Sequence, residues 1–414
     1  MINGFGARKH ALAFIFVTVL LDMIAFGIII PVMPNLIEDV TGLPIARAAT
    51  QGAVLTMVYA GMQFLCAPIV GAMSDRFGRR AVLMVSMAGL SVDFLIMALA
   101  PSFWVLLLGR IMGGAFGATF STAFAVIADV SPPEKRSANF GLIGAAFGLG
   151  FIIGPAIGGF LGELGPRAPF FAASILAAMN FIYGMIVLSE TLAQENRRAF
   201  NWRRANPVGA LYHVAQNKTV IWLMLASFLV MLGHSVYPAI WSYFAQLKFN
   251  WSSGDVGLSL MVVGILAALV QGGLTRKVIP LLGEWKVLVL GLCVVIIAYL
   301  AYGFVPEGWM VYPIIVFASI SGMAQPAMQG IMSNATPANA QGELQGAMGS
   351  MQSLSFFFGP LIYSHVFEMF SDKSSAHYQP GMPFVFAAGF TALALVIAYY
   401  GYHVRLKRTH ERLS

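Results

Sequence analysis

The sequence predicts an all-α membrane protein with twelve transmembrane helices, and three observations support this prediction. Of its 414 residues 58% are hydrophobic and only 10% are charged, and the mean hydropathy is +0.79. A soluble protein carries about 25% charged residues, so this chain has too few to cover a surface that faces water. The apolar residues form long segments, and the basic residues lie mainly at alternate connections between them.

Twelve apolar segments are each long enough, at about 20 residues, to cross a hydrocarbon core of about 30 Å. We place them at 11–33, 50–72, 81–100, 103–128, 137–162, 168–189, 219–246, 254–274, 284–304, 309–333, 341–367 and 382–404. The first is too long for a signal peptide, contains Asp22 and has no cleavage site behind it. We therefore expect it to stay in the mature chain.

The basic residues predict the orientation of these segments. With both termini in the cytoplasm, nineteen Lys and Arg residues lie on the inner side, and only Arg47, Arg167, Lys248 and Lys373 lie on the outer side. This is the positive-inside bias of membrane proteins. It accounts for the net charge of +7 without a nucleic-acid partner, because the basic residues do not gather on one face among aromatics.

A basic, polar segment at 190–218 divides the chain into two halves of six segments. We interpret it as a cytoplasmic linker at the membrane surface, between an N-terminal six-helix bundle at 1–189 and a C-terminal one at 219–414. Two halves of this kind are the layout of secondary transporters built from repeats.

The loop after the second segment carries the pattern G-x-x-x-D-R-x-G-R-R. Its defined positions are Gly71, Asp75, Arg76, Gly78, Arg79 and Arg80. One carboxylate among three guanidinium groups at a helix junction predicts a charge latch that breaks and reforms as two bundles move. The alternative is a loop that only sets topology. The matching loop of the second half, around Gly273 and Gly283, keeps glycine and basic residues but has no acid at the position of Asp75.

Two further motifs lie in the fourth and fifth segments. The fifth contains Gly150, Gly154, Pro155, Gly158 and Gly159, a spacing that lets another helix approach closely and lets the helix bend. The motif of the fourth segment begins near Arg110, inside the membrane; it runs to Asp129 and is followed by Arg136. We expect a structural role for the glycines in any case, and a role in antiport if the chain is a transporter.

Asp22 and Asp93 are the acids at membrane depth, and Arg110 is the base. A charged residue at this depth costs at least about 2.5–3.5 kcal/mol on insertion scales, so we interpret all three as proton-coupling residues. Burial favours the protonated carboxyl group and a nearby arginine favours the ionised one. A static ion pair or a hydrated structural carboxyl group is the alternative, and the sequence leaves open which acid faces Arg110.

The second half has no acid well inside its segments but offers polar and aromatic faces. Including one pair from the second segment, the candidate substrate-binding residues are Tyr59, Gln63, His234, Tyr237, Trp241, Gln325, Gln329, Gln345 and Gln352. Amide and aromatic groups suit an amphipathic solute with rings. They equally suit hydrogen bonds between helices.

Together these motifs resemble the major facilitator superfamily, and within it the tetracycline–proton antiporters of Gram-negative bacteria. The resemblance extends over nearly the whole chain, through stretches such as Pro31-Val-Met-Pro34 and Pro326-Ala-Met-Gln329-Gly330. It implies a major facilitator fold of two six-helix bundles in the bacterial inner membrane. It also implies that Asp22 and Asp93 matter for transport and that Asp75 belongs to a loop gate.

The chain departs from that family at two positions. The tetracycline exporters carry an acid in span nine and a histidine in span eight, where this chain has Val295 and Ala267. Tetracycline is therefore one candidate among amphipathic solutes.

We predict a proton-coupled exporter, not an enzyme, that works as a monomer without cofactor or metal. The alternatives are a facilitator or proton-coupled transporter of a native metabolite or lipid-like compound, and a non-transporting membrane receptor. An intramembrane aspartyl protease is disfavoured because Asp93 follows Gly89-Leu-Ser-Val, and no phosphate-binding loop for ATP is present.

Overall fold

The computed structural model of the chain describes residues 4–117, 119–131, 136–192, 194–197, 221–336 and 341–402. In this part of the chain every regular element is a helix. Inside a bilayer the backbone groups must bond to each other, and a helix achieves this within one segment. The apolar segments of the sequence therefore coincide with helices.

The first half contains spans one to six. Span one comprises Gly4–Ile29 and Met33–Thr41, span two Ile45–Phe77, span three Arg79–Leu99, span four Phe103–Phe116 and Thr119–Val130, span five Arg136–Gly162, and span six Ala168–Val187. A 3-10 turn, Ile30–Val32, joins the two helices of span one.

The second half contains spans seven to twelve. Span seven comprises Ile221–His234 and Val236–Phe249, span eight Ser253–Leu269 and Thr275–Leu282, span nine Glu284–Phe304, span ten Val311–Ser319 and Ala324–Asn334, span eleven Gln341–Phe370, and span twelve Met382–Tyr400. A π-helical turn, Val270–Leu274, interrupts span eight, and a 3-10 turn, Ile320–Met323, interrupts span ten.

Span four differs from the single uninterrupted segment that the sequence predicted. Its first helix ends at Phe116, and the second begins at Thr119. The side-chain amide of Gln63 donates a hydrogen bond to the Gly117 carbonyl oxygen at 2.9 Å. Because this amide satisfies a carbonyl group at the helix end, the interruption carries little penalty in an apolar setting.

Ten helical segments of the described chain are long and apolar enough to cross a membrane. The remaining two predicted spans are the interrupted span four and span eleven, a helix of 30 residues that carries several Gln and Ser side chains. The predicted linker at 190–218 lies largely outside the described residues.

The chain divides into two compact units, and each takes a short piece from the other half of the sequence. The first unit is Met1–Pro44, Val58–Asn206 and Ser252–Gly264; the second is Ile45–Met57, Pro207–Trp251 and Ile265–Ser414. The predicted boundary at 190–218 follows chain order and stays a prediction.

Hydrogen bonds accepted by two glutamate carboxylates attach the exchanged pieces. In the first unit the Glu163 carboxylate accepts the backbone N–H of Gly254 at 2.8 Å, where span eight begins. In the second unit the Thr50 hydroxyl, near the start of span two, donates to the Glu368 carboxylate at 2.5 Å. The two glutamates hold equivalent places, just after span five and near the end of span eleven.

Glycines of span five allow span one to pack directly against it. A Cβ on Gly154 would lie 2.7 Å from the Ile24 carbonyl oxygen, and one on Gly27 would lie 2.8 Å from Pro155 Cδ. Cβ atoms on Gly150 and Gly158 would overlap span one as well. The predicted close-packing face thus lies against the helix that carries Asp22.

The neighbouring side of span five packs against the start of span eight within the first unit. A Cβ on Gly159 would lie 2.6 Å from the Ser253 carbonyl oxygen, and one on Gly257 would lie 3.0 Å from Gly159 Cα. The hydrophobic effect does not drive helices together inside a bilayer, so close van der Waals contacts such as these stabilise the association.

An aromatic cluster forms much of the core of the second unit. Trp241, Tyr302 and Phe384 are at most 3% exposed. The ring centroids of Trp241 and Tyr302 lie 5.3 Å apart, and those of Tyr302 and Phe384 lie 5.5 Å apart. These tilted and edge-to-face pairs connect spans seven, nine and twelve.

We predict that Gly158→Ala lowers the stability of the protein, because the new Cβ would overlap backbone atoms of Ile28 that cannot move aside. Overpacking of this kind costs about 1–3 kcal/mol. The measurement is the melting temperature in detergent. The matched control is Gly148→Ala on the same helix, where no described atom lies within 4 Å. Equal melting temperatures for the two variants would contradict the packing argument.

Candidate functional site

Arg79, at the start of span three, is the centre of the predicted charge latch. Its guanidinium lies 2.6 Å from the Asp75 carboxylate and 3.0 Å from the Asp129 carboxylate. It also donates a hydrogen bond to the Ser74 hydroxyl at 2.9 Å. Arg79 is 8% exposed, so this one cation joins the end of span two to the end of span four in a largely buried setting.

Glu190 completes this junction, and the sequence analysis missed it. Its carboxylate accepts the backbone N–H groups of Arg79 and Arg80 at 2.9 and 3.3 Å. These are first-turn groups that the helix itself cannot satisfy, and a negative charge also suits the positive end of the helix dipole. The signal was a lone carboxylate after span six together with a helix start that has no capping side chain of its own.

Gly78 makes the approach of Glu190 possible. Its φ is +100°, a conformation that favours glycine, and a Cβ there would overlap the Glu190 carboxylate. The glycine of the motif is thus required both by the turn and by the carboxylate that caps span three.

The other motif residues have peripheral places. Arg76 is exposed and lies over the Phe77 ring at 5.0 Å. Arg80 donates to the Met185 carbonyl oxygen at 2.9 Å. A Cβ on Gly71 would meet no described atom within 4 Å. The side chain of Arg136 lies outside the described residues.

The corresponding junction of the second half has different chemistry. Glu284 begins span nine after Gly283, whose φ is +79°. The Asn334 side chain at the end of span ten donates to the Glu284 carboxylate at 3.2 Å. The buried arginine between two acids in the first half is thus matched by an exposed acid–amide contact in the second.

Asp93 is the acid that pairs with Arg110. The Arg110 guanidinium lies 2.5 Å from the Asp93 carboxylate, and the two side chains are 5% and 0% exposed. The guanidinium also lies 5.3 Å from the Tyr59 ring centroid and 5.9 Å from that of Phe94. The question that the sequence left open is therefore answered by the structure.

Glycines of span four make room for this pair. A Cβ on Gly109 would lie 3.1 Å from the Asp93 carboxylate, and one on Gly113 would overlap it. These two residues lie one helical turn apart, on either side of Arg110 in sequence. The Leu-Gly-Arg-Ile-Met-Gly-Gly stretch therefore supplies both the cation and the space for its partner.

Asp22 lies in a different setting. It is 8% exposed, and the side-chain amide of Asn180 in span six donates to its carboxylate at 3.0 Å. The same amide nitrogen lies 3.2 Å from the Thr18 carbonyl oxygen. Tyr59 contacts Arg110 and is within electrostatic range of both Asp22 and Asp93.

The polar groups of the second half are mostly accessible. Gln325, Gln329, Gln345 and Gln352 are exposed, and Gln329 donates to Gln345 at 3.2 Å, which links spans ten and eleven. His234 is exposed, and its ring lies 5.4 Å from that of Tyr237. Trp241 is instead buried in the aromatic cluster, so Tyr237 and His234 form the accessible edge of that cluster.

The two positions where the sequence departs from the tetracycline exporters carry small apolar side chains that are buried or half-buried. Val295 is 8% exposed in span nine, and Ala267 is half-buried in span eight. No group of three or more His, Cys, Asp or Glu side chains that could hold a metal ion occurs in the described part of the chain.

With the fold and these residues in place, the comparison with known proteins is decisive for the family. The sequence model of the Major Facilitator Superfamily matches residues 15–360. The chain belongs to this superfamily. The twelve-helix fold predicted from the sequence is confirmed.

Two curated relatives specify the resemblance further. The tetracycline resistance protein, class C, of Escherichia coli is 38% identical over 359 residues, which cover 87% of this chain and 90% of that protein. The class H protein of Pasteurella multocida is 31% identical over 397 residues, which cover 95% of this chain and 96% of that protein. The resemblance to the tetracycline exporters of Gram-negative bacteria is thus confirmed, and the chain is a multi-pass membrane transporter related to them.

A solved structure agrees with this assignment. The crystal structure of the human organic anion transporter MFSD10 (TETRAN) has a TM-score of 0.70 and 25% sequence identity, and the match covers 94% of this chain and 99% of that one. The superfamily fold extends over almost the entire sequence.

We predict that Arg79→Ala lowers the transport rate about tenfold or more, because Asp75 and Asp129 lose their shared cation. A hydrogen bond to a charged group contributes about 1.5–3 kcal/mol, and each 1.4 kcal/mol is about tenfold in an equilibrium. The control is Arg76→Ala, which removes an equal charge from the same loop at an exposed position. Uptake into vesicles, normalised to protein amount, is the measurement. Equal losses would mean that the loop acts through its total charge.

Proposed function

We propose that this transporter is a proton-driven antiporter that exports an amphipathic, ring-containing solute across the bacterial inner membrane. The observation that carries the proposal is the presence of two buried acids in membrane-spanning helices of the first half, each with a different partner. Asp93 is held by Arg110, and Asp22 is held by the amide of Asn180. Coupling to a proton gradient requires a group that takes up and releases a proton, and a buried carboxyl group can do this.

The two acids take different roles in this proposal. An arginine donates hydrogen bonds only, and its charge stabilises an ionised carboxylate. The Asp93–Arg110 pair therefore stays ionised for most of the cycle and fixes spans three and four. Asp22 loads a proton from the outside and releases it to the cytoplasm as access to the site alternates.

The orientation follows from the positive-inside bias, which puts both termini and the latch around Arg79 on the cytoplasmic side. The latch would hold spans two, three and four together at the inner end while the other end opens. Major facilitator transporters work by rocking two halves around a central site. The proposal needs no cofactor, and a monomer suffices.

The second half supplies the surface for the solute. Gln329 and Gln345 offer amide donors and acceptors, and Tyr237 with His234 offers an accessible aromatic edge. A pocket of this composition binds a ring system by stacking and fixes its orientation with few hydrogen bonds. The relatives named above for tetracycline resistance support a drug-like solute of this class.

A second candidate is a transporter of a native metabolite or lipid-like compound. It is favoured by Val295 and Ala267, which stand where the tetracycline exporters carry an acid and a histidine. A non-transporting receptor on the same scaffold would bind such a compound without moving it.

The coupling is tested with Asp22→Asn and Asp93→Asn in proteoliposomes under an imposed pH gradient. We expect Asp22→Asn to abolish gradient-driven transport but to retain exchange of labelled for unlabelled solute, since only the proton step is lost. We expect Asp93→Asn to reduce both activities, because it leaves Arg110 as an unpaired buried charge. Glu307→Gln is the control, an exposed carboxylate outside the spans. Full gradient-driven transport in Asp22→Asn would contradict the mechanism.

The solute is tested with a panel of tetracycline, cationic aromatic dyes and apolar metabolites in the same vesicles. We expect at least one compound with fused rings to be exported in a pH-dependent manner. We further expect Gln345→Leu to raise the KM for that compound severalfold with little change in melting temperature, because Gln345 is exposed. Transport of acyclic metabolites alone would instead support the second candidate.

A further inference from the structure

We propose that Asn180 is a positioning residue for the transported proton, and that its amide stabilises Asp22 in both protonation states. This inference rests on the proposed function, because it requires Asp22 to carry the proton. It concerns a residue of span six that no motif indicates. The side-chain amide of this residue is buried and contacts Asp22 of span one.

The first step of the argument is the burial of the contact. Asn180 is 0% exposed and Asp22 is 8% exposed. An uncompensated polar group in an apolar interior is costly, so a buried asparagine in a membrane helix needs a role for its amide. The donor side of that amide is used, toward Asp22 at 3.0 Å and the Thr18 carbonyl oxygen at 3.2 Å.

The second step concerns the acceptor side of the amide. The Asn180 side-chain oxygen is buried, and no described atom donates a hydrogen bond to it. A protonated carboxyl group is a donor, whereas an ionised one only accepts. A rotation of the amide by half a turn would therefore present its oxygen to a protonated Asp22.

An amide is thus suited to a carboxyl group that changes its protonation state. It donates to the carboxylate through nitrogen and accepts from the carboxylic acid through oxygen. Arginine, which holds Asp93, has five donors and no acceptor, and it stabilises the ionised state alone. The choice of partner separates a carboxyl group that exchanges its proton from one that stays charged.

In the described part of the chain, the helices that pack against span one carry few ionisable groups. Against span one, span five carries none beyond its first residue, Arg136; the helix Thr119–Val130 carries Asp129 at the latch; and span six carries Tyr183. The Tyr183 ring is stacked on Phe14 at 5.2 Å. Tyr59 of span two is within electrostatic range of Asp22, and also of Asp93 and Arg110.

The main test is the pH dependence of solute exchange by Asn180→Leu, which has a similar volume but neither donor nor acceptor. We expect the midpoint of the pH profile to move upward by about one pH unit or more, because the ionised Asp22 loses a charge-assisted hydrogen bond that is stronger than the neutral one lost by the protonated Asp22. We expect the maximal rate to fall while the KM for the solute stays within about twofold, since the proposed solute surface lies in the second half and Asn180 lies in span six.

The control is Ser174→Ala on the same span. Its hydroxyl donates to the Ser91 carbonyl oxygen at 2.8 Å, a hydrogen bond between spans six and three that involves no acid. We expect this variant to lose some stability without a shift of the pH midpoint. If Asn180 had only a structural role, Asn180→Leu would likewise lose stability without a shift of the pH midpoint.

A second variant keeps the inference testable if Asn180→Leu does not fold. The exchange of the two side chains, Asp22→Asn with Asn180→Asp, preserves volume and restores one carboxyl–amide pair with the roles reversed. We expect it to regain a measurable part of the gradient-driven transport that Asp22→Asn loses. The single variant Asn180→Asp puts two carboxyl groups together, and we expect its pH midpoint to move upward as well, because each negative charge disfavours ionisation of the other group.

The outcomes separate the two proposals. If Asp22→Asn keeps gradient-driven transport, the proposed function itself fails. If Asp22→Asn loses it but Asn180→Leu keeps the midpoint of the unchanged protein, only the role of Asn180 is overturned. If Asn180→Leu does not fold, a side-chain exchange no more active than Asp22→Asn likewise overturns that role.

Discussion

Helices in a bilayer do not associate to escape water, so they must gain their stability from close packing. Spans one and five pack closely because glycines leave no side chains between them. Gly150, Gly154 and Gly158 present backbone to span one, and the α-carbon of Gly27 meets Pro155 from the other side. This contact fixes the rotation of span one about its axis. That rotation in turn determines that Asp22 meets span six, where Asn180 lies. The sites for the two acids are therefore set by where side chains are absent as much as by where charges are present.

The same principle operates in span four. Arg110 reaches Asp93 because glycines at 109 and 113 leave space for the carboxylate along the helix surface. The pair removes two charges from contact with lipid at the expense of desolvating both. The energy of such a pair depends on the distance between its charged groups. The glycines along span four leave the carboxylate room to contact the guanidinium.

The parts of the site that were predictable from sequence are those with a charge in an apolar setting or a fixed spacing. Asp22, Asp93 and Arg110 were visible because few other charges occur in the spans, and the loop from Gly71 to Arg80 was visible by its pattern. Their partners were not. Asn180 is a single neutral residue 158 positions from Asp22, and Glu190 is one acid among several polar residues after span six. Only the packing of spans one, three and six brings these groups together.

Other features were missed for local reasons. Span four read as one apolar run, yet it is interrupted near Gly117, where the Gln63 amide compensates the helix end from another span. Trp241 shared a helical face with Tyr237 and His234, but the rings of spans nine and twelve enclose it. A helical face in sequence does not distinguish a side chain that lines a cavity from one that fills a core.

The two halves have diverged in chemistry while keeping their geometry. The start of span three and the start of span nine both follow a glycine with positive φ, and each contacts the end of the next span. In the first half the contact is a buried arginine between two carboxylates, and in the second it is an exposed acid with an amide. Deep in the spans the contrast is the same, since the first half holds the buried Asp22, Asp93 and Arg110 and the second offers amides and aromatic rings. A transporter that confines charge to one half leaves the other free to change its solute. Under the proposed function, Val295 and Ala267 lie in the half that binds the solute, whereas Asp22 lies in the half that carries the proton.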